Sequence, residues 1–117
     1  MAYIYIVSCE SGTLYTGIAK DIKKRLSQHV SKAKPSAKYT KSHKVSRLEM
    51  LWETENYADA AKLEYRIKHL PRAKKLELLQ RPKDVTAFFP EISEIEFEVS
   101  GEFECPAEIE RIVERED

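Results

Sequence analysis

The sequence has few cysteines, no long apolar run and no recognisable targeting segment, and each absence narrows the class of protein. The two cysteines among its 117 residues, Cys9 and Cys105, form neither a disulfide framework nor a metal-binding spacing. No stretch approaches the roughly 18 consecutive apolar residues of a membrane helix, and no charged segment with a cleavage site precedes the first strand-like residues. We therefore expect a cytoplasmic protein with no membrane partner.

The distribution of charge is more informative than its total. A chain of 117 residues with 42% hydrophobic residues predicts one domain, or one domain with an appendage. Residues 1–90 hold 18 basic and 9 acidic side chains, a net charge of +9, whereas residues 91–117 hold 2 basic and 11 acidic side chains, a net charge of −9. Because phosphate neutralisation supplies most sequence-independent affinity for nucleic acids, the basic part suits a nucleic-acid partner.

Two strands and a tight hairpin are predicted at the start of the chain. Residues 3–8 and 13–18 are rich in β-branched and aromatic side chains, and a three-residue loop with Gly12 in the left-handed conformation fits between them. This loop length places Tyr5 and Tyr15 on the same face of the sheet, whereas a two-residue loop would place them on opposite faces.

Apolar periodicity and capping residues predict the other elements of the body. These are a helix capped by Asp21 and reaching about residue 30, a third strand over 46–53, a helix from residue 56 or 57 to about 70, and a short helix from 71 to about 80. Residues 31–44 contain five lysines, no acidic residue and one proline, which is typical of a loop. We expect one domain over 1–82 and an acidic C-terminal extension over 83–117.

The acidic extension has its own pattern. Apolar residues at 95, 97 and 99 alternate with glutamates, which predicts a strand, and Pro106 is suited to the start of a short helix with apolar residues at 109, 112 and 113. We expect the extension to dock on the body. Two interpretations of it remain open: it covers the basic face and competes with nucleic acid, or it adds a strand and a helix that complete the fold.

Glu64 is the most informative single position for chemistry. It falls on the same predicted helix face as the apolar residues Ala60, Leu63 and Ile67, where an unpaired charge is energetically expensive. One interpretation is a salt bridge, with Arg25 as a candidate partner. The other is a metal ligand in a cleft, because hard cations such as Mg²⁺ take oxygen ligands and keep most of their waters.

Four other residues carry both a structural and a functional interpretation. Arg25 is either a surface cation or a bidentate contact to a scissile phosphate, and His29, one turn later, is either structural or an acid–base group. Tyr5 and Tyr15 are either sheet residues packed in a core or hydroxyls that position or deprotonate a water molecule. The predicted nucleic-acid contacts are cations together with an aromatic ring for base stacking, namely Lys24, Lys34, Lys38, Tyr39, Lys41 and Lys44.

Five elements in order resemble a known family. Tyr3-Ile4-Tyr5 and Tyr15-Thr16-Gly17 resemble the paired motif that names the GIY-YIG nuclease superfamily, and residues 18–29 are similar to its Arg-bearing first helix. Glu64 falls where the metal-binding Glu of that family is expected. Residues 37–40 and 64–68 resemble the small stand-alone members. The chain departs from the family pattern in having Tyr3 in place of the Gly of the first motif and Thr16 in place of the Ile of the second. It also has Ile18 where some repair-associated members have Lys, and it lacks the Asn that many members have late in the domain.

The resemblance implies an α/β (α+β) fold with a three-stranded antiparallel sheet flanked by helices. It implies a metal-dependent endonuclease that hydrolyses phosphodiester bonds in DNA, with single-stranded or branched DNA as the favoured substrate, RNA left open, and a repair or recombination role. Tyr5 and Tyr15 would place or activate the water, Arg25 would stabilise phosphorane-like charge, His29 would assist proton movement, and Glu64 would hold one divalent metal ion, Mg²⁺ or Mn²⁺.

Two alternatives to a nuclease remain. The first is a nucleic-acid-binding module without catalysis, and the second is a regulatory or interaction domain in which the acidic extension is the functional part. The presence of all five residues of the implied catalytic set, Tyr5, Tyr15, Arg25, His29 and Glu64, favours the enzyme. Oligomeric state and metal identity are not specified by the sequence.

Overall fold

The described elements within the first 80 residues follow the predicted order of two strands, a helix, a third strand and two further helices. The structure is a computed structural model that describes residues 1–32 and 44–114, apart from the side chains of residues 31 and 32. The elements are β1 (Ala2–Cys9), β2 (Leu14–Ala19), α1 (Ile22–Lys32), β3 (Val45–Thr54), α2 (Tyr57–Lys68), α3 (Arg72–Gln80), two 3₁₀ segments (Pro82–Phe88 and Pro90–Ile92), β4 (Glu98–Val99), β5 (Ala107–Glu108) and α4 (Ile109–Glu114). None of the described helices is long and apolar enough to cross a membrane.

The predicted hairpin between β1 and β2 is confirmed. Gly12 has a φ of +92°, in the left-handed region that favours glycine. The Cys9 amide donates to the Thr13 carbonyl at 2.9 Å, which closes the three-residue loop. In the resulting antiparallel register Tyr5 lies opposite Gly17, two residues from Tyr15 along β2, so Tyr5 and Tyr15 share one face of the sheet.

The sheet is antiparallel, and its strand order is β2-β1-β3-β4, with β5 also paired to β3. The predicted mixed α/β fold with helices flanking an antiparallel sheet is confirmed. The predicted number of three strands is too low, because the C-terminal extension adds two strands of two residues each to β3.

The elements predicted within the extension are shorter than expected. Only Glu98–Val99 of the alternating segment forms a strand, since β3 ends at Thr54 and the hydroxyl of Thr54 donates to the Glu96 carbonyl at 2.8 Å. The final helix begins at Ile109 instead of Pro106, because residues 107–108 first pair with β3 as β5.

Side-chain caps fix the starts of α1 and α2, at the predicted cap Asp21 and at Asn56. The Lys24 amide donates to Asp21 Oδ1 at 3.1 Å, which caps α1. The Asp59 amide donates to Asn56 Oδ1 at 2.8 Å, which caps α2. Because both helices begin next to β2 or β3, these caps set the position of the side chains in their first turns.

Apolar side chains cover both faces of the sheet. One face packs against α2 and α3 through a cluster that includes Ile4, Ile6, Trp52, Leu63 and Ile67. The opposite face packs against α1 and α4 through a second cluster that includes Tyr5, Val7, Leu26, Ile109 and Ile112. Ile109 and Ile112 are 0% and 3% exposed, so the extension supplies part of the core against which α1 rests.

Candidate functional site

The predicted catalytic residues come from elements that meet around the free edge of the sheet. β2 is the edge strand, α1 covers one face of the sheet, and α2 covers the other. The side chains near this edge therefore come from β1, from α1 and from α2, which are distant in sequence. Tyr5 lies at the centre of the group.

Tyr5 and His29 are in direct contact. The Tyr5 hydroxyl lies 3.0 Å from His29 Nε2, and the two rings meet edge to face with their centroids 5.6 Å apart. The Tyr5 side chain is 3% exposed, since it packs in the cluster beneath α1. The structure therefore brings together two of the predicted catalytic residues with a hydrogen bond that can carry a proton.

Several groups act on the pKa of Tyr5. Burial raises this pKa above its ordinary value of 10.0, and the hydrogen bond and positive charge of Arg25 partly offset that rise. The negative charge of Glu64 and the nearby Tyr57 raise the pKa further. The Tyr5 hydroxyl is therefore protonated near neutral pH, and it can donate its hydrogen to a neutral imidazole at His29.

Gly17 makes room for Tyr5. A Cβ atom added at Gly17 would lie 2.5 Å from Tyr5 Cζ and would also collide with the Tyr5 hydroxyl. The backbone of Gly17 does not have a positive φ, so the glycine is required for space and not for conformation. The sequence reasoning did not select Gly17 as a site residue, although the predicted hairpin register, which pairs it with Tyr5, is the signal that identifies it.

Arg25 reaches the same hydroxyl from α1. Its Nη1 atom donates to the Ile18 carbonyl at 3.2 Å, and its positive charge is close enough to the Tyr5 hydroxyl to lower the pKa of Tyr5. The side chain is half-buried and also lines a surface cavity between α1 and α2. A guanidinium held in this way presents its remaining donors to an anion that enters the cavity.

Glu64 lies on α2, and its side chain is 20% exposed. The ion-pair partner of Glu64 within the described residues is Lys68, at 3.2 Å on the same helix, and not Arg25. The described residues contain no group of three His, Cys, Asp or Glu side chains arranged to hold a metal ion. A partly exposed single carboxylate fits a Mg²⁺-like cation that keeps most of its waters, and it does not fit a fully enclosed metal site.

Tyr15 lies on the edge strand β2, on the same face of the sheet as Tyr5. Its side chain is 42% exposed, and its hydroxyl makes no hydrogen bond within the described parts of the chain. It is available to a ligand that lies over the sheet edge. Tyr15 is thus near the group by register and does not form part of its hydrogen-bond network.

Two of the predicted nucleic-acid contacts lie among the described residues. Lys24 is exposed and lines the cavity beside Arg25, together with Ala19, Lys20, Asp21, Gln28 and Tyr57. Lys44 is paired with Glu110 of α4 at 3.8 Å, so an acidic side chain of the extension lies next to it. The other predicted contacts, Lys34, Lys38, Tyr39 and Lys41, lie outside the described residues.

Comparison with known proteins shows the family to which this chain belongs. The family model of the GIY-YIG catalytic domain matches residues 1–77. The chain is 44% identical to the UPF0213 protein FN1575 of Fusobacterium nucleatum over 80 aligned residues, and this alignment covers 68% of this chain and 78% of that protein. It is 46% identical over 77 residues to the UPF0213 protein SSP2268 of Staphylococcus saprophyticus, which covers 66% of this chain and 92% of that protein.

A solved structure is also similar. The solution NMR structure of the UPF0213 protein BH0048 from Bacillus halodurans is 34% identical, covers 76% of this chain and 97% of that chain, and has a TM-score of 0.46. The match to the catalytic-domain model includes Tyr5, Tyr15, Arg25, His29 and Glu64, and it ends before the acidic extension. The chain therefore belongs to the GIY-YIG catalytic domain family, and its relatives include the small UPF0213 proteins.

Proposed function

We propose that this protein is a metal-dependent endonuclease that hydrolyses phosphodiester bonds in DNA. The observation that carries the proposal is the part-buried hydrogen bond between the Tyr5 hydroxyl and His29 Nε2, with the positive charge of Arg25 close to the same hydroxyl. Membership of a nuclease family and a net charge of +9 over residues 1–90 support the same conclusion.

The Tyr5–His29 pair provides a route for the proton of the attacking water. Because the pKa of Tyr5 is raised by burial, a free tyrosinate is not populated near neutral pH. The Tyr5 oxygen therefore accepts the proton of the water as its own proton passes to His29 Nε2. The water oxygen bonds to phosphorus as the bond from phosphorus to the leaving oxygen breaks, and the leaving oxygen departs with the electron pair of that bond and takes a proton from solvent.

Arg25 and Glu64 have the electrostatic roles. The Arg25 guanidinium, fixed by the Ile18 carbonyl, stabilises the negative charge that develops on the phosphoryl oxygens. The Glu64 carboxylate would hold one divalent ion, Mg²⁺ or Mn²⁺, which when bound supplies positive charge to the phosphate oxygens. Tyr15, exposed on the same face as Tyr5, would orient the substrate or the water.

A cleavage assay tests the proposal. Labelled single-stranded, duplex and flap DNA would be incubated with the protein in Mg²⁺, Mn²⁺ or EDTA. Cleavage is expected only with metal, and Arg25→Ala is expected to lower the rate by about 10²–10³-fold. Arg111→Ala is the control for loss of a cation, because Arg111 is 82% exposed and distant in sequence from the site.

Glu64→Ala requires its own control, because Glu64 also belongs to an intrahelical ion pair. Glu77→Ala removes ion pairs of similar length from α3, namely Lys74–Glu77 at 3.3 Å and Arg81–Glu77 at 3.2 Å. We expect Glu64→Ala to abolish metal-dependent cleavage and Glu77→Ala to leave it unchanged. Equal activity in the two variants would make the Glu64 carboxylate purely structural, and DNA binding without cleavage in every sample would instead support the non-catalytic module.

A further inference from the structure

Beside the catalytic group lies a cavity that the proton route does not use. It occupies about 500 Å³ between the first turns of α1 and the start of α2, a volume within the range of small-ligand sites. Its cations are Lys20, Lys24 and Arg25. Its one carboxylate, on Asp21, is already engaged because Oδ1 accepts the Lys24 amide at 3.1 Å. The cavity therefore favours an anionic ligand.

The aromatic residue of this cavity is Tyr57, the first residue of α2. Its side chain is 43% exposed, and the Lys20 ammonium lies 5.6 Å from the centre of its ring. The start of α2 does not depend on this ring, since Asn56 caps the helix through the Asp59 amide. An exposed ring beside cations is the combination that binds unstacked bases and their phosphates.

Tyr57 is also close to the reacting groups. Its electrostatic influence reaches Tyr5, whose pKa it helps to raise, and Arg25, which lines the cavity, is close enough to Tyr5 to lower the same pKa. A ligand in the cavity is therefore adjacent to any phosphate that Arg25 holds. The three features, volume, charge and an exposed ring, occur together at this edge of the sheet.

We infer that the cavity is a subsite for one unpaired nucleotide next to the scissile phosphate, with its base stacked on Tyr57 and its phosphate neutralised by Lys20 and Lys24. This inference rests on the proposed nuclease function, and it assigns Tyr57 and Lys20 as further substrate-binding residues. A base within a duplex is covered on both faces by its neighbours, so only an unpaired or extruded base can stack on the Tyr57 ring. The subsite therefore discriminates in favour of single strands and flaps.

Binding measured without cleavage tests the subsite. Fluorescence anisotropy of a labelled ten-nucleotide single strand and of its duplex would be recorded in EDTA for the full-length protein. Tyr57→Leu is expected to weaken single-strand binding about tenfold and to leave duplex binding unchanged, because loss of one stacked base costs about this factor. Tyr57→Phe, which keeps the ring, is expected to bind within about twofold of the wild type.

Tyr65→Leu is the matched control, because Tyr65 lies on the same helix, is 61% exposed and is not part of the cavity lining. Its single-strand affinity is expected to equal that of the wild type. Lys20→Gln is expected to weaken binding, and it should reduce the slope of log affinity against log salt concentration by about one. Unfolding temperatures of all variants would be recorded, so that a loss of folded protein is recognised.

The outcomes separate the subsite from the nuclease. Selective loss of single-strand binding in Tyr57→Leu establishes the subsite, even if no DNA is cleaved by any sample and the nuclease proposal fails. The subsite would be overturned if Tyr57→Leu bound the single strand with wild-type affinity, or if it lost as much affinity for the duplex as for the single strand. It would also be overturned if Tyr65→Leu lost as much single-strand affinity as Tyr57→Leu. The cleavage assay would then judge the nuclease proposal separately. Absence of single-strand binding in the wild type would also overturn the subsite.

Discussion

Gly17→Ala tests whether the position of Tyr5 controls the site. The added Cβ would lie 2.5 Å from Tyr5 Cζ, whereas carbon atoms in good contact are about 3.5–4.0 Å apart, so the ring must move by about 1 Å. Tyr5 is 3% exposed and cannot move into solvent. Overpacking of this kind costs about 1–3 kcal/mol, equivalent to a decrease in Tm of about 4–12 °C.

The effect of Gly17→Ala on activity is expected to be larger than its effect on folding. A shift of about 1 Å stretches the 3.0 Å bond between the Tyr5 hydroxyl and His29 Nε2 beyond hydrogen-bond range, and misplacement on this scale lowers rates by about 10²-fold. The assay is metal-dependent cleavage of labelled DNA, together with thermal unfolding.

Two controls accompany Gly17→Ala. Gly101→Ala adds a Cβ with no neighbour within 4 Å and is expected to change neither quantity. In a Tyr5→Phe background the hydroxyl is already absent, so Gly17→Ala should cost much less further activity. Unchanged activity and Tm in Gly17→Ala, or full additivity with Tyr5→Phe, would refute this account of the site.

Two other predictions concern the core and the titration of the site. Ile112→Ala removes a side chain that is 3% exposed and packs in the cluster beneath α1, so we expect it to lower the free energy of unfolding in urea by about 2 kcal/mol or more. The control, Glu110→Gln on the exposed side of α4, should leave this free energy nearly unchanged. Equal free energies for the two variants would contradict packing of α4 in the core. Because the folded-state pKa of Tyr5 is raised above 10.0, its contribution to stability is constant below that pH and falls as pH rises through the folded-state pKa. The free energy of unfolding should therefore decrease more between about pH 8 and about pH 11 for the wild type than for Tyr5→Phe. Equal decreases in the two proteins would contradict the raised pKa of Tyr5.

The C-terminal extension illustrates where local patterns lose accuracy. The apolar positions of its final helix were identified correctly, because Ile109 and Ile112 are buried and Val113 packs beside them, whereas Val99 of its strand is exposed. Its strand was predicted too long, since pairing depends on where β3 ends, and this is set by residues far away in sequence. Of the two interpretations, completion of the fold is supported by this packing. Truncation of the extension would remove core side chains, so charge substitutions such as Glu110→Gln are the sharper test of competition with nucleic acid.

The sequence by itself determined the features that depend on near neighbours. The three-residue loop at Gly12 sets the register of β1 and β2, and the caps at Asp21 and Asn56 set where two helices begin, because turn and capping interactions span only a few residues. The segregation of charge between residues 1–90 and 91–117 is likewise a property of the sequence alone.

Only the tertiary structure decided which of these residues meet. Tyr5 and His29 are 24 residues apart and come into contact because α1 folds back over the sheet face that carries Tyr5. Glu64 pairs with Lys68, and Gly17 leaves room for the Tyr5 ring. Such contacts depend on the distances between packed helices and strands. The pattern of residues along the chain specifies which face of each element is apolar, but it does not specify how far apart two elements lie.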